Sequence, residues 1–405
     1  MSDSSQRILF MPDQINGVDS GGVSARATVN YLKNLGHHVA VYSQDATSSA
    51  RHIDVHSEIP LYQISPDMRW HSHIHSPELV GNFQSVIQAF RPNYLFFAGG
   101  IQKPAVLGRE ARRQNIRTVY LFYINEYFCP ILYAGRENGP CTDCINRPLT
   151  APLRNGCLSA LEIPQMLKYR IVQQLLSREI LKAYRVVGYG QDQLNLARKF
   201  GVQESNLSLI GFQFSPHELI GLRVRDEGYF ALTGQTIIQK GWHLLSSIFE
   251  HLKSSVKVKI SFRSQEHANQ AIKNFGLTKF VKNGRIEIVT HLHSRNQYLD
   301  FLSSARGALL PTYYPTTGEF GLQEPMALGK PVHVFNVGVH KDVLVDRQNA
   351  MVSAIGDIAD YARKIEEIDQ NLLLRKSIGE KAKLSSNEFY SQKQIELFND
   401  VFVSY

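Results

Sequence analysis

Short, unbroken apolar runs alternate with longer helical patterns along this chain, and the series is run through twice. RILFM at 7–11, HVAVYS at 38–43, PLYQI at 60–64, YLFFA at 94–98, RTVYLFY at 117–123, VVGY at 186–189 and LSLIG at 207–211 make the first series. After a polar stretch of weak periodicity at 212–228, FALT at 230–233, VKVKISF at 256–262, RIEIVT at 285–290 and GALL at 307–310 start it again. Strands this uniformly apolar are buried on both faces, as in a parallel sheet covered by helices. Helical patterns fall between them, ending at Leu35 before Gly36 and covering 78–90, 105–114 and 295–304. The fold class that follows is α/β, with two Rossmann-like doubly wound domains in succession at 1–214 and 228–385. Such a pair implies an inter-domain cleft, where ligands usually bind.

With 405 residues the chain is long for one domain and sufficient for two, each with its own core. Hydrophobic content of 43% and charged content of 20% are those of a soluble globular protein. No apolar window approaches the length of a membrane span, and the opening MSDSSQRILF lacks a signal-peptide core, so cytoplasmic residence is expected. A net charge of +8 favours anionic partners such as nucleotide sugars or anionic lipid surfaces. Nucleic acid is disfavoured, because no zinc finger, RNA-binding aromatic signature or helix-turn-helix is present.

The densest chemistry lies in PTYYPTTGEFGLQEPMALGKP, residues 311–331. It leaves the 307–310 strand, passes a Gly-containing loop and enters a helix expected over Gln323–Leu328, with Pro325 in its first turn and Gly329 and Pro331 ending it. A helix N-terminus after such a loop makes an anion site from backbone N–H groups and the helix dipole. Glu319 and Glu324 stand beside it as acceptors for hydroxyls, so the expected ligand is hydroxyl-rich and carries phosphate. An ordinary strand-loop-helix unit is the plainer alternative. In GQTIIQKG, residues 234–241, Lys240 is in register with two glycines for a phosphate contact.

The run Glu324-Pro-Met-Ala-Leu-Gly-Lys-Pro-Val332 resembles the donor-binding segment of retaining glycosyltransferases of family 4, which have the two-domain GT-B fold. The resemblance implies that Glu324 holds the nucleotide ribose and that Gly321 and Leu322 offer backbone donors to the diphosphate. The family's first Glu falls on Thr316 here, so Glu319 is expected to contact the sugar in its place. Lys240 would neutralise the departing diphosphate; the family's neighbouring Arg is Gln235, and Arg263 is the candidate replacement. Gly21 and Gly22 match the paired glycines of the family's first domain, and Tyr123 stands where relatives carry a His. The 386–405 helix would cross back to the first domain.

The implied activity is transfer of a sugar, with retention, from a nucleotide diphosphate sugar to a carbohydrate, lipid-linked or protein acceptor. No cofactor is required for the chemistry, since the leaving phosphate serves as base. The competing reading is a non-catalytic GT-B homologue that stabilises another glycosyltransferase, suggested by the departures at Gln235, Thr316 and Tyr123. An epimerase on the same fold is a third.

Two further features call for a partner or an ion. Cys129, Cys141, Cys144 and Cys157, spaced C-x11-C-x2-C-x12-C in a Gly- and Pro-rich segment, suggest a structural zinc in an insertion at 129–157; reduced structural thiols or a redox-labile pair are the alternatives. Residues 166–184 form a helix pattern with Leu167, Ile171 and Leu175 on one line and Val172, Leu176 and Ile180 on the next, edged by Lys168, Arg170, Arg178 and Lys182. It reads as a core-facing helix with a basic edge, or as a peripheral contact to an anionic membrane. The lone histidines, His333 and His340 among them, receive no role.

Overall fold

A computed structural model of the chain describes residues 5–16, 20–46, 59–64, 76–99, 104–123, 125, 128–131, 133–136, 139–146, 150–159, 162–211, 219, 221–252, 256–389 and 392–402. The chain divides into two compact units. The first comprises residues up to 134, 141–213 and 391 onward; the second comprises 135–140 and 214–390.

The first unit is built on β1 (Arg7–Pro12), β2 (His38–Ser43), β3 (Leu61–Gln63), β4 (Tyr94–Ala98) and β5 (Arg117–Leu121). After the hairpin β6 (Gly135–Arg136) and β7 (Gly139–Pro140) it is completed by β8 (Arg185–Gly188) and β9 (Leu207–Leu209). The seven-stranded parallel order β3-β2-β1-β4-β5-β8-β9 turns back on itself beside β1, which pairs Ile8 with Val39 on one side and with Tyr94 on the other. Leu9, Phe97, Tyr120 and Val186 fill one core face with Leu79, Phe83 and Val86 of the Pro77–Phe90 helix. That helix starts where the Ser76 hydroxyl accepts the Leu79 N–H. The chain's end returns to this unit, with the Phe402 ring meeting Tyr94 and Phe96 at 5.4 and 5.3 Å.

The Ile163–Ile180 helix departs from expectation. Val172, Leu176 and Ile180 are buried, but Leu167 and Ile171 are 45% and 44% exposed. Two adjacent apolar lines span a wider arc than one sheet face covers, and only the arc carrying Glu179, paired with Arg112 of the Pro104–Arg113 helix, packs inward.

The second unit repeats the architecture with β10 (Tyr229–Leu232), β11 (Lys257–Ser261), β12 (Ile286–Val289), β13 (Gly307–Leu310), β14 (Val332–Phe335) and β15 (Met351–Ser353), ordered β12-β11-β10-β13-β14-β15 and parallel throughout. Successive strands add outward from β10 to β12, then resume on its other side with β13. Ligands bind outside the carboxyl ends of such sheets where the order reverses, here between β10 and β13. The β6–β7 hairpin groups with this unit, although the whole 129–157 insertion was assigned to the first domain. Gly135 permits the approach: a Cβ there would lie 2.6 Å from Pro315 Cδ and 2.8 Å from Tyr314 Cβ.

Inside the second core, His333 of β14 is 1% exposed, with its ring 5.5 Å from Phe230 and 6.3 Å from Tyr361. Among the described residues neither ring nitrogen has a hydrogen-bond partner, and burial, then the Lys364 charge, pushes its pKa down to about 3. The unfolded chain takes up this proton below about pH 6.5 while the folded chain refuses it until about pH 3, so stability is lost as pH falls through that window. At pH 4.5 the loss is about 3 kcal/mol, two pH units at roughly 1.4 kcal/mol each. Denaturant titrations at pH 7 and 4.5 should show this drop, and His333→Leu should remove most of it.

Candidate functional site

Two loops at the carboxyl edge of the second sheet make the site, one following β10 and one following β13. The β10 loop runs through Gly234 into a single 3-10 turn, Ile238–Lys240, closed by Gly241, whose N–H donates to the Ile238 carbonyl at 2.8 Å. Gly241 has φ +78°, and a Cβ there would lie 1.9 Å from the Pro311 carbonyl oxygen. Glycine therefore allows the first loop to rest directly on the end of β13. The Tyr313 N–H, donating to Gln239 O at 3.3 Å, ties the two loops together.

The contact seats Lys240 on Glu319. Its ammonium donates to Glu319 Oε1, lies 5.3 Å from the Tyr314 ring centroid, and shares that oxygen with the Thr312 hydroxyl at 3.4 Å. The other oxygen, Oε2, is 3.4 Å from Nε2 of the fully buried His340. Burial alone would raise the Glu319 carboxyl; Lys240, followed by His340, more than reverses this and holds it well below the usual carboxylate range. Burial likewise opposes the charge on Lys240, and Glu319 with Tyr314 outweighs it, raising the ammonium's pKa. A cation is thus stored at the sheet's switch point with 23% of its side chain still exposed.

Glu319 is the extended residue before the Phe320–Ala327 helix. The helix begins three residues earlier than expected, because the Leu322 and Gln323 N–H groups both turn back to Glu319 O, at 3.0 and 3.1 Å. Pro325 consequently lies inside the helix rather than in its first turn, where its missing N–H removes the bond to the Gly321 carbonyl. Leu322 is fully buried with its N–H engaged, which leaves the backbone of Gly321 as the first-turn element to face a ligand. A Cβ on Gly321 would lie 3.2 Å from Leu310 Cδ2 and 3.9 Å from Thr233 Oγ1, so this turn sits against the ends of both β13 and β10.

Glu324 follows on the same helix, 1% exposed, with Oε1 2.5 Å from Arg295 Nη2. The Tyr298 phenol is pushed far upward by burial first and then by the Glu324 charge, and it donates to Thr233 Oγ1 at 3.5 Å. The carboxylate expected to face a ribose is therefore turned to Arg295 and Tyr298 of the Arg295–Ser304 helix in this structure. Gln235 and Arg263 are exposed at the ends of β10 and β11. Their loops are joined by Thr236 Oγ1 and His267 Nε2 at 2.7 Å.

In the first unit the corresponding edge gathers the other expected residues. Gly21 and Gly22 lie in the first turn of the Ser20–Asn34 helix after β1, and Gly22 is buried. Tyr123, just past β5, stacks on Tyr189 at 6.5 Å and 9°. Gly99, at φ +71° after β4, leaves the space that Tyr123 and Asp13 occupy: a Cβ there would be 2.7 and 2.8 Å from them.

The zinc expectation finds no support. Among the described residues no group of three or more His, Cys, Asp or Glu side chains is disposed to hold a metal ion, and none of the four cysteines is in a disulfide. Burial first, and then the neighbouring cysteines, push the Cys129 thiol up to about 11 and also raise Cys144.

Thr312, Tyr314, His340 and Arg295 escaped the sequence reading. The one local signal was Gly338, at φ +51°, where a Cβ would lie 2.2 Å from Thr316 N; this close approach brings the loop after β14 under Glu319.

Two parallel-sheet, Rossmann-like units in succession are the GT-B fold seen in glycosyltransferase structures. Residues 222–385, within the second unit, match the family described as Glycosyl transferases group 1. Among characterised proteins the chain is similar to the capsular polysaccharide biosynthesis glycosyltransferase CapM of Staphylococcus aureus, 24% identical over 232 residues, a match spanning 57% of each protein. Sucrose-phosphate synthase from Thermosynechococcus elongatus superposes with a TM-score of 0.69 at 14% identity, covering 97% of both chains. Anabaena HepE in complex with UDP-glucose gives 0.65 at 14% identity, covering 98% of both.

Proposed function

We propose that this protein transfers a sugar from a nucleotide diphosphate sugar to an acceptor hydroxyl, with retention and without a metal in the chemical step. The observation that carries the reading is the meeting of Lys240, from the β10 loop, with the first turn of the Phe320–Ala327 helix at the reversal of strand order. A cation and a helix N-terminus on one sheet edge suit a diphosphate, and Glu319 beside them suits a sugar hydroxyl. The Glycosyl transferases group 1 domain and the UDP-glucose bound by HepE support a nucleotide-sugar donor.

On this reading Lys240 leaves Glu319 for the diphosphate and offsets the charge that builds on it as the glycosidic bond breaks. Glu319, released on that side, accepts from the donor sugar, and the departing phosphate takes the acceptor proton. Glu324 serves the ribose once Arg295 yields it, Gly21, Gly22 and Tyr123 are assigned to the donor sugar, and Gln235 and Arg263 to the rest of the donor. The acceptor is a carbohydrate, lipid-linked or protein hydroxyl. No helix among the described residues is long and apolar enough to cross a membrane. Exposed Leu167 and Ile171, on the helix that also carries exposed Arg178, support peripheral contact with an anionic inner leaflet, and thus cytoplasmic residence.

Incubating the protein with UDP-, GDP- and ADP-sugars tests this. Slow release of one nucleoside diphosphate, unaffected by chelator, and a product of unchanged anomeric configuration are expected. An inverted product would overturn retention, and no binding to any donor would favour a non-catalytic partner subunit.

A further inference from the structure

We propose that His340 is a positioning residue for donor binding: it keeps Glu319 charge-paired when Lys240 moves to the diphosphate. This deepens the donor-site reading above and rests on it.

His340 Nδ1 is 3.1 Å from the Phe335 carbonyl oxygen, which can only accept, so Nδ1 carries a proton. The other nitrogen, Nε2, then faces the Glu319 carboxylate at 3.4 Å, and that approach is attractive only when Nε2 is protonated too. Among the described residues neither Nε2 nor Glu319 Oε2 has a hydrogen bond of ordinary geometry, so each is aimed at the other and at nothing else. The backbone carrying His340 is fixed as well: Val339 N donates to Thr316 O at 3.0 Å, and His340 N to Val337 O at 3.0 Å. Lys240, Glu319 and His340 thus lie in a row, with the carboxylate between the ammonium and the imidazole.

A row of this kind has two uses. Before donor binding, the carboxylate holds Lys240 in place. When the diphosphate draws Lys240 away, Glu319 would be a lone charge with 8% of its side chain exposed, a costly state. His340 remains on the far oxygen, so the carboxylate stays ionised and available to the sugar. The residue's place in the loop after β14, far in sequence from both partners, explains why no motif announces it.

The test is calorimetric binding of UDP, GDP and ADP to the wild type, His340→Leu, His340→Gln, Glu319→Gln and the Glu319→Gln/His340→Leu double variant. For the diphosphate that the wild type binds, His340→Leu should weaken affinity about tenfold, the worth of one charge-assisted contact. His340→Gln, which keeps a neutral donor, should recover part of that loss. In the Glu319→Gln background the His340→Leu change should have no further effect, since no carboxylate charge is left to compensate. Losses that add across the double variant, or an unchanged affinity in His340→Leu, would overturn the proposal. If His340→Leu does not fold, His340→Gln alone and in the Glu319→Gln background is read by the same criterion. A wild type that binds none of the three diphosphates would overturn the donor reading itself, a result distinguishable from failure at His340.

Discussion

Lys240→Ala is expected to lower the rate of sugar transfer by roughly 10²–10³, the usual cost of deleting a preorganised group that meets developing charge. It should also destabilise the second unit. Glu319 stays behind with 8% of its side chain exposed and only His340 beside it; breaking a buried ion pair costs about 3–5 kcal/mol, and the remaining His340 contact with the 23% exposure of the Lys240 side chain puts the loss at the lower end. The two effects separate in a second variant. Lys240→Ala/Glu319→Gln removes the carboxylate that has lost its ammonium and should regain most of the stability, while transfer stays low because the diphosphate still lacks its cation. Urea midpoints and kcat, measured on the same preparations, check both. A Lys240→Ala protein of full activity would show that the ammonium serves Glu319 alone.

Gly241→Ala should be the most damaging single methyl that the site can receive. The residue holds φ +78°, and the added carbon would fall 1.9 Å from Pro311 O and 2.6 Å from Pro311 C, both backbone atoms that cannot rotate aside. A loss of about 4 kcal/mol or more is expected, in the range reserved for defects with a named steric cause. Relief requires the β10 loop to lift off the end of β13, breaking the link between Tyr313 N and Gln239 O and parting Lys240 from Glu319. Gly234→Ala is the matched control: its φ is +109°, but nothing lies within 4 Å of the added carbon, so only backbone strain of about 1–2 kcal/mol applies. Denaturant midpoints and nucleoside diphosphate affinity should fall together in Gly241→Ala and far less in Gly234→Ala. Equal losses would mean that the close approach to Pro311 does not hold the loop.

The sheets were legible because strands buried on both faces announce themselves as apolar runs. The 307–310 strand and the 295–304 helix fall where the residues place them, the latter because Ser294 and Gln297 form a reciprocal cap. The start of the Phe320–Ala327 helix was misjudged for lack of such a signal. Glu319 precedes it without a side-chain cap, and Pro325, read as a first-turn residue, is carried inside. Lys240 and Glu319 were recognisable individually, yet their pairing depends on Gly241 lying against Pro311, a tertiary contact with no sequence period. Arg295 on Glu324 and His340 on Glu319 belong to the same class, since each pair joins separate strand-helix units. The Ile163–Ile180 helix was ambiguous for another reason: with two neighbouring apolar lines, pattern alone does not say which one the sheet will take.

Whether the β10 and β13 loops grip a diphosphate is answered most directly by a crystal structure of the protein with its bound nucleoside diphosphate. The account predicts phosphate oxygens within about 3 Å of Lys240 Nζ and of the Gly321 N–H, with Glu319 still against His340. A diphosphate bound elsewhere, with the Lys240–Glu319 pair intact, would contradict it.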